Sequence, residues 1–300
     1  MTLKTTGPMF GRVITAMITP FDGDGNVDFD EAVRLAQHLV KNGSDGLVIS
    51  GTTGESATLT VAEKVELFSR ISGAVGGDAV VLAGTGSYNT RETVELSIQA
   101  REAGVDGLLV VTPYYNKPSQ EGLYQHLKTV SASVDIPVML YNVPGRTVTN
   151  LEASTVARLS AIDNIVAVKE ASKNLEQIGE IVRDTPDDFL VYSGDDGTTL
   201  PILSVGGVGV VSVTSHVNGV DLQAMIAAFF ASDFAEAIRL NGKSLALTKA
   251  LFSFPSPSPA KTALKQLGLL NSTHVRLPLV DATEAERGAI KSALSQYGLL

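Results

Sequence analysis

Residues 137–170 read PVMLYNVPGRTVTNLEASTVARLSAIDNIVAVKE, and this stretch contains the unit from which the fold is predicted. Two short apolar runs, Pro137 to Tyr141 and Ile165 to Lys169, flank a segment with helical spacing. The runs lack the apolar and polar alternation of a half-exposed strand, as is typical of parallel strands buried on both faces. The stretch therefore predicts a strand, a helix and a second strand parallel to the first.

The same unit recurs along the first two thirds of the chain. The other apolar runs, six in number, are Val13 to Thr19, Gly46 to Ser50, Val80 to Ala83, Gly107 to Thr112, Phe189 to Ser193 and Gly209 to Thr214. Eight strand and helix units over about 220 residues match the size of a closed barrel, whereas a doubly wound sheet usually has fewer strands and a nucleotide loop. The predicted fold is an α/β protein, a (β/α)8 TIM barrel.

The strand pattern stops after about residue 232. Helical stretches follow at Phe234 to Leu251, Pro259 to Leu267 and Ala282 to Tyr297. Between the first two, Phe252 to Pro259 reads FSFPSPSP and is predicted to be a stiff loop, since proline cannot donate to a helix ladder. We predict a catalytic barrel over residues 1–232 and a C-terminal helical domain over residues 233–300.

Composition narrows the classes of partner. The chain has 300 residues, a net charge of −9 and no cysteine. An acidic chain without a cluster of Lys or Arg has no electrostatic footprint for nucleic acid or an anionic membrane. Its first ten residues lack the apolar stretch of a signal peptide, and no window reaches the roughly 18 apolar residues of a membrane span. We predict a cytoplasmic protein, since the absence of cysteine fits a reducing compartment.

A lysine directly follows the apolar residues of the sixth run, Ile165 to Val168. The active site of a (β/α)8 barrel forms at the carboxyl ends of its strands, so Lys169 is a candidate catalytic residue. The alternative is a strand that simply ends in water. Burial disfavours the charged form of a lysine, and the neutral amine is the nucleophile that attacks a carbonyl. We predict that Lys169 forms a Schiff base with a small 2-oxo acid.

Hydroxyl and cationic side chains lie at neighbouring strand ends. Tyr115, Tyr141 and Thr52 could relay protons, although a single barrel tyrosine is more often packed in the core. Arg146 has a planar fork that suits a carboxylate, although most arginines lie on the surface. Backbone amides of the turn at residues 51–54 could bind a second carboxylate.

Other chemistries find little support. The four histidines, His38, His126, His216 and His274, are scattered without metal-ligand spacing, so no metal site is predicted. The glycine-rich stretches GTTGES at 51–56 and GGVGVV at 206–211 match no nucleotide-binding motif. Asp195 and Asp196 are predicted to be structural, because adjacent residues on a strand point to opposite faces.

Six segments together resemble the class I, Schiff-base-forming pyruvate aldolases typified by dihydrodipicolinate synthase. They are AMITPF at 16–21, GTTGES at 51–56, GLLVVTPYYNKPSQEGL at 107–123, YNVPGRT at 141–147, VAVKEAS at 166–172 and YSGDD at 192–196. The resemblance spans nearly the whole chain, and the motifs are highly specific when taken together.

The resemblance implies a set of catalytic residues. Lys169 matches the lysine that forms the pyruvate Schiff base, and Tyr141 matches the tyrosine that donates and accepts the proton beside it. Thr52 and Tyr115 match the other two members of a proton relay. In such enzymes the tyrosine at the position of Tyr115 reaches the active site of a neighbouring subunit, so at least a dimer is implied.

The resemblance also implies a set of substrate-binding residues. Thr53 matches a residue that holds the pyruvate carboxylate, and Arg146 matches the arginine that receives the carboxylate of L-aspartate 4-semialdehyde. Gly194 and Val211 match positions that line the pocket. Sibling aldolases usually lack the GR that follows YNVP here, so Arg146 favours the synthase over its siblings.

The implied reaction condenses pyruvate with L-aspartate 4-semialdehyde to give 4-hydroxy-tetrahydrodipicolinate, on the diaminopimelate route to lysine. No external cofactor is expected, and the implied assembly is a homo-oligomer, a dimer of dimers. Two alternatives stay open from the sequence. One is a sibling aldolase for a 2-keto-3-deoxy sugar acid or N-acetylneuraminate. The other is a catalytically idle barrel that binds a small metabolite or a partner protein.

Overall fold

A computed structural model describes residues 7–300, and its central feature is a closed barrel of eight parallel strands. The strands follow chain order, and β1 pairs with both β2 and β8. They are β1 (Val13–Ala16), β2 (Gly46–Ile49), β3 (Val80–Gly84), β4 (Gly107–Val111), β5 (Val138–Asn142), β6 (Ile165–Glu170), β7 (Leu190–Ser193) and β8 (Gly209–Ser212). The predicted (β/α)8 barrel is confirmed, and each predicted run overlaps one strand, although β3, β5 and β6 each extend one residue past the predicted end.

Helices surround the barrel and continue beyond it. They are α1 (Phe29–Lys41), α2 (Val61–Val75), α3 (Thr90–Glu102), α4 (Gln120–Ser131), α5 (Pro144–Thr147), α6 (Ala153–Leu159), α7 (Leu175–Asp184), α8 (Thr199–Ser204), α9 (Ser215–Phe230), α10 (Phe234–Leu251), α11 (Ser258–Gln266) and α12 (Glu284–Tyr297). Across residues 7–300, none of them has the length and apolar character needed to cross a membrane.

Two apolar layers explain why the strands carry so little polar alternation. The outer cluster lies between strands and helices and includes Leu47, Val81, Leu108, Leu140 and Val168. The interior cluster fills the barrel and consists of Phe10, Ile14, Ala16, Val48, Val80, Leu82, Leu109, Met139, Tyr141, Val143, Ala167, Tyr192 and Val211. Because side chains alternate along each strand, strands β2 to β7 meet these two layers on their two faces. Val13 of β1 and Val210 of β8 instead pack outward in a third apolar cluster with α9 and α10.

The amino-terminal end of the barrel is closed by an aromatic pair. The rings of Phe10 and Tyr192 lie 6.5 Å apart between centroids, and both are fully buried. The Tyr192 hydroxyl donates a hydrogen bond of 2.8 Å to the carbonyl oxygen of Gly11, just before β1. Since this end is filled, a substrate must enter from the carboxyl ends of the strands.

The last three helices form their own small apolar cluster, made of Leu247, Leu251, Ala263, Ile290 and Leu294. Helix α10 has the predicted bounds, whereas α12 begins two residues later than predicted, at Glu284. The predicted proline loop is wrong at its end, because Ser258 and Pro259 lie in the first turn of α11. Proline is tolerated there, since the first amides of a helix have no intrahelical acceptor.

The predicted boundary at residue 232 lies in the turn between α9 and α10. Residues 1–6 of the predicted first domain lie outside the described residues. The division of the chain into two domains stays a prediction. Lys261 of α11 and the backbone amide of Arg276 both donate hydrogen bonds to Glu55, so α11 and the segment after it reach the barrel mouth.

Candidate active site

A bulge in β6 turns Lys169 toward the barrel interior. The register with β5 passes from Ile165 directly to Ala167, which leaves Val166 as an extra residue. Ile165 packs in the outer cluster, whereas Val166 and Ala167 both contact the interior cluster. Strict alternation from Ile165 would place Lys169 on the outer face. The bulge shifts the alternation by one residue and places Lys169 beside Tyr141 of β5.

The Lys169 side chain is buried and has no polar partner among residues 7–300. Its exposed fraction is 6%, and its Nζ lies 4.2 Å from the centroid of the Tyr141 ring. Among residues 7–300, no carboxylate forms an ion pair with it and no group forms a hydrogen bond with its Nζ. Lysines are rarely buried unless they are paired. An unpaired amine at the carboxyl end of a barrel strand is therefore a candidate nucleophile.

Two predicted pocket residues shape the space around this amine. A Cβ atom at Gly194 would lie 3.1 Å from both Cε and Cγ of Lys169 and 2.7 Å from Cβ of Ala171. Any larger residue at position 194 would therefore displace the lysine. Val211 is buried in β8 and belongs to the interior cluster. Both predicted residues thus lie in the wall of the barrel that contains Lys169.

The turn after β2 carries Thr52 and Thr53. Thr53 is buried, whereas Thr52 is exposed. The turn is connected to the segment after β1 by Thr19, whose hydroxyl donates a hydrogen bond of 2.7 Å to the carbonyl oxygen of Gly54. Glu55 closes the turn, and its backbone amide donates to the carbonyl oxygen of Thr52 at 3.1 Å. The turn is therefore a compact element with its own internal hydrogen bonding.

Tyr115 lies at the surface, whereas the predicted catalytic residues Lys169 and Tyr141 are buried. The Tyr115 side chain is 89% exposed, and its backbone is left-handed, with φ at 72°. The neighbouring Tyr114 packs edge-on against Tyr88, with ring centroids 5.2 Å apart. In this single chain no hydrogen bond within residues 7–300 joins the hydroxyls of Thr52, Tyr115 and Tyr141. The structure therefore brings Tyr141 to Lys169 but leaves Tyr115 at the surface.

Arg146 lies on α5, the single helical turn that follows β5. Its side chain is exposed, and its guanidinium has no ion pair or hydrogen bond among the described residues. The turn is held by backbone bonds, including one of 2.8 Å from the amide of Arg146 to the carbonyl oxygen of Val143. A free guanidinium next to the end of β5 can bind a carboxylate in bidentate fashion.

Asp195 and Asp196 follow the end of β7 in a 3₁₀ turn, so the strand alternation that was expected to separate them does not apply. Asp195 is half-buried, caps the turn at Thr198 with a 3.1 Å hydrogen bond and pairs with Lys173 at 2.8 Å. Asp196 is buried and accepts hydrogen bonds from Ser212, the amide of Val213 and the hydroxyl of Thr214. Burial raises the pKa of the Asp196 carboxyl, and these hydrogen bonds oppose the rise. Asp196 thus joins the ends of β7 and β8.

His216 illustrates how the histidines are used. Its ring is buried, its Nε2 accepts a hydrogen bond of 3.1 Å from the amide of Ile18, and its Nδ1 donates to the carbonyl oxygen of Val213 at 2.7 Å. Burial lowers the pKa of His216 to about 4, so the ring is neutral at pH 7, as one donor and one acceptor require. Across residues 7–300 no three His, Cys, Asp or Glu side chains come together as a metal-ligand group.

Sequence reasoning missed two sets of buried polar residues near the site. Glu170 faces outward when Lys169 faces inward, and it accepts hydrogen bonds from the amide of Ser172 at 2.7 Å and from Asn142 at 3.1 Å. Glu55 pairs with Lys261 of α11 at 2.6 Å, and both side chains are buried. Glu170 lies within the motif VAVKEAS, so the sequence could have indicated it. The segments that contain Glu55 and Lys261 have no pattern that indicates an ion pair between them.

Comparison with known proteins points to one family. The model of the Dihydrodipicolinate synthetase family matches residues 9–297. A 4-hydroxy-tetrahydrodipicolinate synthase of Bacillus subtilis is 55% identical over 288 residues, which are 96% of this chain and 99% of that protein.

Solved structures agree with this match. The crystal structure of a dihydrodipicolinate synthase from Bacillus anthracis has a TM-score of 0.94 and 50% identity, and the alignment covers 96% of this chain and 98% of that one. The corresponding enzyme of Cyanidioschyzon merolae, solved with lysine bound, has a TM-score of 0.96 and 47% identity, with 98% and 100% covered.

Proposed function

Because the chain belongs to the dihydrodipicolinate synthetase family, we propose that it condenses pyruvate with L-aspartate 4-semialdehyde through a Schiff base on Lys169. The protein is a lyase, and its product is 4-hydroxy-tetrahydrodipicolinate, on the diaminopimelate route to lysine. The synthase names of the similar proteins give the sugar-acid alternative no support.

One observation supports the proposed chemistry above all others, namely the unpaired amine of Lys169 above the ring of Tyr141. An amine without a carboxylate partner has no ion pair to break before it attacks a carbonyl. Gly194 allows close packing of the Lys169 chain, since a Cβ atom at position 194 would lie 3.1 Å from its Cε and Cγ. A catalytically idle barrel gives no reason for a buried lysine without an ion pair among the described residues at this position.

The first step forms the imine. Nζ of Lys169 attacks C2 of pyruvate to give a carbinolamine, which loses its hydroxyl as water. Tyr141 supplies and removes the protons that these changes need, with Thr52 as the next member of the relay. Thr53 and the backbone amides of its turn hold the pyruvate carboxylate, since turns of this kind bind anions through their N–H groups.

The second step forms the carbon–carbon bond. Loss of a proton from C3 of the imine gives an enamine, and the imine nitrogen takes up the electron pair. C3 of the enamine then attacks the aldehyde carbon of L-aspartate 4-semialdehyde, whose carboxylate is held by Arg146. Tyr141 returns a proton to the new alkoxide. Val211 and Gly194 limit the space in which the two reactants meet.

The last step closes the ring and frees the enzyme. The amine of the former aldehyde substrate attacks the imine carbon, and the C2–N bond to Lys169 breaks after proton transfer to the lysine nitrogen. One water molecule has been released in all, during formation of the first imine. The covalent intermediate divides a difficult condensation into easier stages.

The same proposal requires a second copy of the chain. Tyr115 is 89% exposed in a left-handed backbone conformation, which suits a side chain that projects from one subunit into its neighbour. We propose a homo-oligomer in which Tyr115 completes the relay of an adjacent active site, and a dimer of dimers as the full assembly. We also propose the cytoplasm as its location, in keeping with a chain that has no cysteine.

The direct test is to trap the imine. The protein is incubated with pyruvate, reduced with borohydride and digested, and the modified peptide is found by mass spectrometry. We expect a reduced pyruvyl adduct on Lys169. Lys261 is an internal control, because it is also buried but pairs with Glu55, and it should stay unmodified. A folded protein with no adduct on Lys169 would refute the mechanism.

A further inference from the structure

The residue that closes the Thr52 turn is held in an unfavourable backbone conformation. Glu55 has φ at 55°, and Ser50 at the other end of the turn has φ at 56°. Residues other than glycine keep left-handed backbones only where the surrounding structure holds them, and such positions cluster at functional sites. Something outside the turn must therefore maintain its shape.

The restraint comes from the C-terminal part of the chain. Oε1 of Glu55 accepts a hydrogen bond of 2.6 Å from Nζ of Lys261 on α11, and Oε2 accepts one of 3.0 Å from the amide of Arg276. The Glu55 and Lys261 side chains are 1% and 0% exposed. Nζ of Lys261 also donates to the carbonyl oxygen of His274 at 2.7 Å and lies 4.2 Å from the centroid of the Phe21 ring.

The guanidinium of Arg276 extends this restraint past the turn. It donates to the carbonyl oxygen of Thr58 at 2.9 Å and to both carboxylate oxygens of Glu63, at 3.0 and 2.5 Å. Glu63 also caps the start of α2, where it accepts from the amide of Thr60 at 2.8 Å. We call Glu55, Lys261, Arg276 and Glu63 the turn clamp. It holds the whole segment between β2 and α2.

Stability alone does not explain this choice of residues. A buried ion pair loses solvation on both sides, and well-packed apolar residues of similar volume often stabilise a fold as well or better. What a charge pair adds is direction, because each carboxylate oxygen has a defined donor at a defined angle. The clamp orients a turn that carries two residues of the proposed site.

We propose that Lys261 is a positioning residue of the active site, acting through Glu55 on Thr52 and Thr53. The inference rests on the proposed function, since it concerns the part of the turn that would hold pyruvate. A displacement of about 1 Å in a positioned group can lower a reaction rate about 100-fold. The clamp therefore makes pyruvate binding depend on a helix outside the barrel.

The test compares two lysine variants of the C-terminal helices. Lys261→Met keeps most of the side-chain volume and removes the charge. Lys243→Met is the matched control, because Lys243 also pairs with an acid, Asp221 at 2.7 Å, and also lies over an aromatic ring, that of Tyr297 at 4.4 Å. We expect Lys261→Met to raise KM for pyruvate by about 10- to 100-fold and Lys243→Met to leave it unchanged.

A milder variant keeps the proposal testable if Lys261→Met does not fold. Glu55→Gln keeps the shape of the side chain and weakens the bridge, and we expect it to raise KM for pyruvate by about threefold to tenfold. Amide hydrogen exchange of residues 51–58 gives a readout independent of catalysis, and exchange should be faster in Glu55→Gln than in wild type or Lys243→Met.

Normal pyruvate kinetics in a folded Lys261→Met or Glu55→Gln variant would overturn the positioning role, even if the melting temperature were lower. Unchanged exchange of the turn amides would overturn it as well. Failure of the proposed function itself would look different, because wild-type protein would then give no borohydride-trapped adduct on Lys169.

Discussion

Two buried lysines in this protein lie at the same distance from an aromatic ring and have opposite surroundings otherwise. Nζ of Lys169 is 4.2 Å from the centroid of Tyr141, and Nζ of Lys261 is 4.2 Å from that of Phe21. Lys261 has a carboxylate at 2.6 Å, whereas Lys169 has no ion-pair partner among residues 7–300. The acid partner, and not burial or the ring, is what separates a structural lysine from a candidate nucleophile.

The carboxylate of Glu55 opposes the effect of burial on the pKa of Lys261. Burial lowers the pKa of Lys261 to about 8, and the nearby carboxylate of Glu55 opposes that change. The ammonium therefore remains the main form at pH 7 and can donate to both Glu55 and His274. If Glu55 were absent, only the weaker effect of Asp281 would oppose the lowering of the Lys261 pKa by burial.

The strongest test of the comparison replaces the candidate nucleophile. Lys169→Arg keeps a cation at the barrel mouth but removes the primary amine, so we expect kcat/KM to fall by about 10⁴-fold or more. The melting temperature should change little, because no ion pair is lost. Steady-state assays and thermal unfolding measure the two quantities. More than a few per cent of wild-type activity in a pure sample would contradict a covalent role for Lys169.

The second test removes the paired lysine and measures stability. Lys261→Met leaves the Glu55 carboxylate buried without its partner, which should lower the free energy of unfolding by about 3–5 kcal/mol. Adding Glu55→Gln should recover part of this loss, since no buried charge then remains. Urea unfolding of the single and double variants gives the values. A single variant as stable as wild type would mean that the ion pair contributes nothing.

The third test replaces Tyr141 by phenylalanine, so that both buried lysines lie over a phenylalanine ring. Tyr141→Phe leaves an aromatic ring under Lys169, as Phe21 lies under Lys261, and removes only the hydroxyl. Because general acid–base groups contribute about 10²- to 10⁴-fold, we expect kcat to fall at least about 100-fold. Tyr192→Phe is a matched control for fold, since that hydroxyl bonds to Gly11 at the closed end. Full activity in Tyr141→Phe would assign the proton transfers elsewhere.

The fourth test extends the comparison to a cation that is exposed and unpaired. Arg146→Ala should raise KM for L-aspartate 4-semialdehyde by about 10- to 100-fold, because a bidentate bond to its carboxylate is lost. The borohydride-trapped pyruvyl adduct on Lys169 should form as in wild type. A variant with unchanged kinetics for the aldehyde would remove Arg146 from the substrate site.

The smallest expected effect concerns the pH dependence of the turn clamp. Hydrogen bonds from Arg276 lower the pKa of Glu63 to about 2, from a usual value of 4.5. Its stabilising contribution is therefore complete above about pH 4.5 and is lost as the pH falls toward 2, with about 1 kcal/mol lost by about pH 3.5. Denaturant unfolding between about pH 5.5 and 3.5 should show a flatter curve for Glu63→Gln. Parallel curves for variant and wild type would contradict this origin.

Much of the fold could be predicted because it depends on local patterns. Each predicted apolar run overlaps a strand, since a strand buried on both faces needs apolar residues whatever its neighbours are. Helix α10 was predicted with its observed bounds, whereas the end of the proline stretch was predicted wrongly. A proline in the first turn of a helix and a proline in a loop look the same in sequence.

The site could be predicted only in part. Lys169, Tyr141 and Gly194 lie together, as expected, but their catalytic and binding roles stay predictions. The turn clamp could not be predicted, because Glu55 and Lys261 are 206 positions apart and neither belongs to a periodic pattern. Sequence patterns report local periodicity, and the clamp depends on how α11 packs against the barrel.

The direction of Lys169 shows most clearly what each level of structure determines. The amino-acid sequence is enough to place a lysine near the carboxyl end of an apolar barrel strand, because hydrophobic patterning alone specifies which segments are buried. The inward direction of this lysine comes from the bulge at Val166, and the ion pair of Lys261 comes from the packing of α11 against the barrel. Side-chain direction depends on strand register and on distant contacts, which arise only when the chain is packed.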